Sequence, residues 1–154
     1  MATAYFVDSS ALVKRYVRET GMAWVRGITR RRSSTDLFIA LITAVEVTSA
    51  IARHRGGKLT AAQASSLQSR FRKHLTGRYF PSQITPALVS EAMKLANTHR
   101  LRAHDAVQLA AALDVYRDWS ANRLGTFVFV SADRDLNKAA IAEGLTVEDP
   151  NSHP

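Results

Sequence analysis

The chain has 154 residues, 46% of them hydrophobic and 22% charged, which is the balance of one soluble globular domain long enough to bury a core. No apolar run approaches the ~20 residues of a membrane span, residues 1–8 lack the basic segment of a signal peptide, and the absence of cysteine excludes disulfides and thiolate zinc sites and fits a cytoplasmic protein. The net charge of +8 is uneven: residues 1–78 hold 14 Lys+Arg against 4 Asp+Glu, and residues 79–154 hold 7 against 9. A basic half of this kind suits a polyanionic partner, nucleic acid or acidic protein, with solubility as the plainer reading.

Residues 5–7 read as a short buried strand running into Asp8, after which Asp8-Ser-Ser opens a helix with Leu12, Val13, Tyr16 and Val17 on one face. Gly21 breaks that pattern, residues 22–28 resume it through Trp24, Val25 and Ile28, and Arg30-Arg-Arg32 ends it. Residues 37–42 form a continuous apolar run of the kind found in parallel sheets covered on both faces. Thr43-Ala-Val-Glu46 follows with capping-box spacing. The helix begun there stops at Gly56-Gly57, and Thr60 starts a longer one striped by Ala64, Leu67, Phe71 and Leu75. Residues 79–85 read as a third strand, short or near an edge because of Pro81.

Thr85-Pro86 then starts a helix with Pro at its first position. Leu101 to Leu113 begins the next, with Ala106, Leu109, Ala110 and Leu113 on one stripe and Asp105 at its head. Residues 125–130 are the plainest strand, ending in Ser131-Ala-Asp-Arg-Asp135 and another helix; residues 145–147 are a last short strand. The expectation is one α/β domain over residues 1–148, with a mostly parallel sheet of about five short strands flanked by helices. Residues 149–154 read as a loose tail.

Asp8, Glu46 and Asp133 each lie just beyond a strand, and Asp105 lies at a helix start. Each has a purely structural reading, since acids are favoured at helix N-termini. Yet functional residues of open parallel sheets collect beyond the carboxyl ends of the strands, and all four can face one crevice there. Four carboxylates so placed would raise one another's pKa, a conflict that a hard divalent ion resolves; Mg²⁺ or Mn²⁺ is the natural choice for oxygen ligands.

Phe6-Val-Asp8-Ser-Ser-Ala-Leu-Val, Thr43-Ala-Val-Glu46, Leu101-Arg-Ala-His-Asp105-Ala-Val-Gln-Leu-Ala and Val130-Ser-Ala-Asp133-Arg-Asp-Leu together resemble the ordered motifs of the PIN domain, and above all the VapC-like toxins of toxin–antitoxin pairs. The resemblance spans nearly the whole chain. It implies a metal-dependent endoribonuclease, usually a homodimer, held inactive by a cognate antitoxin. Carried over, Asp8, Glu46, Asp105 and Asp133 form the catalytic quartet, with Asp8, Asp105 and Asp133 as metal ligands and Ser10 and Ser131 as hydroxyl residues near the metal. Lys14 and Arg15, soon after Asp8, are candidates to hold the RNA backbone, and Asp135 is a further acid that suits the helix start. No pair of His54, His74, His99 and His104 has metal-ligand spacing. A dehalogenase-like phosphatase would want an Asp where Ser10 stands. The competing expectation is a non-catalytic basic α/β module that binds nucleic acid or a protein partner. The apolar stripes around Trp24 and around Leu67, Phe71 and Leu75 suggest more apolar surface than one small core takes, hence a second copy against them.

Overall fold

In the computed structural model, which describes residues 2–30, 32 and 34–154, five strands form one sheet in the order β3-β2-β1-β4-β5, every neighbouring pair parallel. The strands are β1 (Ala2–Val7), β2 (Thr35–Ala40), β3 (Phe80–Ser82), β4 (Gly125–Val130) and β5 (Val147–Glu148). Between them run α1 (Ser9–Leu12), a 3₁₀ turn over Val13–Arg15, α2 (Met22–Ile28), α3 (Thr43–Arg53), α4 (Ala61–Gly77), α5 (Pro86–His99), α6 (Ala103–Ala121) and α7 (Arg134–Ala142). The chain leaves β1 for β2 and β3 on one side, then returns to place β4 against the other side of β1. Strand order therefore reverses between β1 and β4, where open parallel sheets bind their ligands.

Alternation along the strands explains the layers. Ala4, Phe6, Phe127 and Phe129 face one buried cluster with Leu95, Leu109, Leu113 and Leu136 from α5, α6 and α7. Val7, Leu37, Ile39, Val128 and Val130 face the other, with Leu12, Val47, Ile51 and Phe71 from α1, α3 and α4. Burial on both faces is why β2 and β4 read as unbroken apolar runs. Gly125 (φ 134°) begins β4 beside the backbone of Ala2, where a Cβ would strike the Ala2 carbonyl oxygen. Among the described residues, no helix is long and apolar enough to cross a membrane.

Three strands differ in extent from the runs expected of them. The second strand starts at Thr35 and ends at Ala40, so Leu41 and Ile42 already belong to the turn into α3. The third strand is only Phe80–Ser82, at the sheet edge where its proline is tolerated. The last strand is Val147–Glu148. Arg30 follows α2 and is exposed, whereas Arg31 lies outside the described residues.

Residues 149–154 are not a loose tail. Asp149 caps a 3₁₀ turn over Pro150–Ser152, Pro150 is buried, and the His153 ring stacks on Trp24 with centroids 4.3 Å apart. Gly21 (φ 85°) makes room for this segment, since a Cβ there would meet the Pro150 carbonyl. The surplus of apolar stripes is also absent: Phe71 is fully buried, and Trp24, Leu67 and Leu75 pack on the second cluster. These stripes therefore leave no surplus apolar face for a second copy to cover.

Candidate active site

The carboxyl ends of β1 and β4 are clipped together, the Asp8 N–H donating to the Val130 carbonyl at 2.9 Å. The Asp8 side chain then caps α1. Its Oδ2 accepts from the Ser10 N–H (3.3 Å), the Ser10 hydroxyl (2.5 Å) and the Ser131 hydroxyl (3.1 Å). Its Oδ1 is buried and has no hydrogen-bond partner. Burial above all pushes the Asp8 carboxyl from 3.8 up to about 6; the negative charges of Glu46 and Asp105 add to this, and the two serine hydroxyls oppose it. The capping and the functional readings of Asp8 thus hold together, because capping occupies only one oxygen.

Glu46 comes from the first turn of α3 and is gripped from two sides, by the Ser9 hydroxyl at 2.8 Å and by Gln108 Nε2 at 2.9 Å. The expected capping box does not form. Ile42 is the N-cap residue, and the buried Thr43 hydroxyl accepts from the same Gln108 amide at 2.8 Å. Gln108 is fully buried on α6, one turn beyond Asp105. Asp105, in the first turn of α6, is buried too, and its carboxyl is raised, chiefly by desolvation. The nearby His104 and Arg102 charges oppose that rise, and Asp133 adds to it. Asp133 caps α7, its Oδ1 accepting from the Leu136 N–H at 2.9 Å.

These acids share one crevice of about 510 Å³, lined by Asp8, Ser10, Glu46, Asp105 and Asp133 among others. Ser131 lies fully buried beneath it, linking Asp8 to the Asp133 N–H, which donates to its hydroxyl at 3.1 Å. It supports the rim without lining the crevice. Asp135 is exposed and outside the crevice, as a helix-start acid would be.

Arg102 bridges the open side: its Nε donates to Asp105 Oδ2 at 3.3 Å and its Nη2 to Asp133 Oδ2 at 3.1 Å. Among the described residues, no three acidic or histidine side chains stand close enough to close round an ion. The Arg102 guanidinium stands between Asp105 and Asp133. It partly neutralises them while remaining largely exposed. The donors themselves are all carboxylate and hydroxyl oxygens, with one buried lone oxygen on Asp8, a set suited to a hard divalent cation.

Lys14 and Arg15 do not reach the crevice. Lys14 is buried, paired with Glu19 at 3.2 Å and bonded to Asn151 at 3.1 Å. Arg15 turns to the opposite end of its segment and donates to the carbonyl and hydroxyl of Thr29. The cations that line the crevice are Arg53 and Arg102, with His104 half exposed beside Asp105. Arg53 stands two turns after Glu46 and Gln108 one turn after Asp105, helical spacings that could have identified both. Asn137, whose amide donates to the Ser131 carbonyl at 2.9 Å, carried no sequence signal.

An acid-lined crevice at the switch point of a parallel sheet defines a class of site, and the comparisons name the family. The PIN domain family model matches residues 5–142, so the chain belongs to the PIN domain family. No curated protein matches. Among solved structures, VapBC-1 from nontypeable Haemophilus influenzae is similar at a TM-score of 0.60 and 16% identity, covering 96% of this chain and 98% of that one. VapBC2 from Rickettsia felis, bound to a DNA fragment from their promoter, is similar at 0.63 and 10% identity, over 95% and 98%. At such identities the likeness is one of fold.

Proposed function

We propose that the protein is a metal-dependent endoribonuclease and the toxin of a VapBC-type toxin–antitoxin pair. The observation that carries this reading is the convergence of Asp8, Glu46, Asp105 and Asp133 on one crevice, with Asp8 Oδ1 buried and unpartnered. Asp8, Asp105 and Asp133 would hold Mg²⁺ or Mn²⁺. The chemistry it would supply when bound is neutralisation of charge on the scissile phosphate and activation of water for attack. The chain's own residues supply the rest. Ser10 and Ser131 hold Asp8 Oδ2, leaving Oδ1 free. Glu46, fixed by Ser9 and Gln108, keeps lone pairs free to accept from and orient a water. Arg102 and Arg53 stand where an RNA phosphate would enter, and the guanidinium fork suits it.

Two protein partners belong to the reading: an antitoxin covering the crevice, as the fold shared with the VapBC structures supports, and a second copy of this chain. RNA cleavage is the direct test. Protein freed of antitoxin is expected to cut a structured RNA with Mg²⁺ or Mn²⁺ and to leave it intact in EDTA. Equal cleavage in EDTA would overturn the metal reading. Binding without cleavage under any divalent ion would favour the non-catalytic module.

A further inference from the structure

A second cavity, of about 290 Å³, is lined by Arg15, Tyr16, Arg26, Arg30, Arg70 and Arg78, with no acidic residue among them. Among the described residues, none of these five arginines forms an ion pair, an unusual concentration of uncompensated charge. Part of it has a structural explanation. Arg15 and Arg78 both donate to the Thr29 carbonyl, at 2.8 and 3.0 Å, where α2 ends. Arg26 donates to the Arg15 carbonyl at 3.2 Å. Two guanidinium groups are ample for one helix end, and the exposed Arg30 and Arg70 make no side-chain hydrogen bond among the described residues.

The floor is rigid and adds no charge. The Tyr16 hydroxyl lies 2.7 Å from both the Tyr79 hydroxyl and His74 Nδ1. Burial first, then the charges of Arg15, Arg78 and Arg70, push His74 from 6.5 down to about 4, so it is neutral at pH 7. The half-buried Arg15 and Arg78 form a fixed base, with Arg26, Arg30 and Arg70 as an exposed rim.

We infer that this pocket is a second RNA-binding site, gripping a backbone phosphate a few nucleotides from the scissile bond. Guanidinium forks match phosphate oxygens, and an exposed rim suits a strand passing through better than an enclosed small anion. The pocket and the acidic crevice lie at the two ends of one continuous segment. Asp8 opens α1 where β1 ends, whereas Arg15 and Arg78 meet at the Thr29 carbonyl, shortly before β2 and β3 begin. An RNA strand that reaches both sites runs the length of the sheet, about 20 Å for the six residues of β1, which a few nucleotides span. The identity of the ligand, though not the pocket's preference for phosphate, rests on the ribonuclease reading.

The test is RNA binding by the full chain in EDTA, where nothing is cleaved. Fluorescence anisotropy with a single-stranded RNA oligonucleotide would compare wild type, Arg30→Gln/Arg70→Gln and the charge-matched control Lys58→Gln/Lys94→Gln across a salt series. The arginine variant is expected to bind roughly ten-fold more weakly and to flatten the slope of log affinity against log salt by about 1.4, the loss of two single-strand phosphate contacts. The control should change less than about two-fold. Equal weakening of variant and control would overturn the pocket. If pyrophosphate raises the wild-type Tm while both variants bind RNA like wild type, the site takes a small anion and the RNA assignment falls. Wild type that binds through the pocket but fails to cleave RNA with any divalent ion would overturn the nuclease reading and leave the pocket standing.

Discussion

Asp8 performs two tasks with two oxygens, and its charge shows the strain. An acid whose folded pKa is raised gives the folded state its stability while protonated. The contribution is full below about pH 4 and is lost as pH rises through about 6. The span is worth about 3 kcal/mol. In EDTA at pH 7, Asp8→Asn is therefore expected to melt higher than wild type, and the advantage should vanish near pH 4. Parallel melting curves across that range would show that Asp8 does not titrate there. Mg²⁺ should stabilise wild type by mass action, more so at pH 7 than at pH 5, and should do little for the variant. Arg102 gives a second test. Its cation pairs with Asp105 and Asp133, so a metal must compete with it, and Arg102→Met should bind Mg²⁺ several-fold more tightly by calorimetry. Unchanged affinity would mean that the guanidinium leaves at no cost. The four acids were legible because each follows a strand or opens a helix. Lys14 was misplaced because α1 tightens into a 3₁₀ turn after Leu12, and the tighter winding alters which side chains face inward.

At the level of elements, the most instructive case is α3. Thr43 and Glu46 have the spacing of a capping box, yet both side chains turn to Gln108 on α6. Local pattern cannot reveal a partner 62 residues away. A capping box of the same spacing does form where no such partner exists, at Thr60 and Gln63 on the exposed start of α4. Gln108 thereby ties the second strand's helix to the helix bearing Asp105. Gln108→Leu would leave the buried Thr43 hydroxyl and one Glu46 oxygen without their donor, and it is expected to destabilise the protein by about 1–3 kcal/mol in urea denaturation. If Glu46 orients a water, activity should fall further than stability predicts. A stability loss below about 0.5 kcal/mol would mean that water replaces the amide. Strands β2 and β4 were legible because burial on both faces leaves a continuous apolar run. The short β3 and β5 were legible in place but not in extent, since two or three residues carry no period.

The order of the strands is a property of the whole molecule and could not be read from the sequence. Alternating strands and helices imply parallel pairing, but nothing local tells β4 to return beside β1. That return creates the switch point and assembles the acids. The same scale decides the proposed second copy. With the Trp24 and Phe71 stripes packed on the second cluster, the exposed apolar side chains include Phe80, Ile84, Val89 and Met93, along β3 and the helix after it. Val89 and Met93 are 43% and 68% exposed and one turn apart on α5, so they share a face. β3 is also a free sheet edge. Exposed apolar side chains near an open sheet edge are the kind of surface that protein interfaces use. A second copy placed there would leave the acidic crevice, at the carboxyl ends of the strands, open to RNA. Light scattering is expected to give a dimer at micromolar concentration, and Val89→Lys/Met93→Lys to give a monomer whose Tm, measured at a dilution where wild type is monomeric too, is within about 1 °C of wild type, since both side chains already face water. A wild type that stays monomeric at every accessible concentration would remove the second copy from the reading. A dimer that survives both lysines would place the contact on another face.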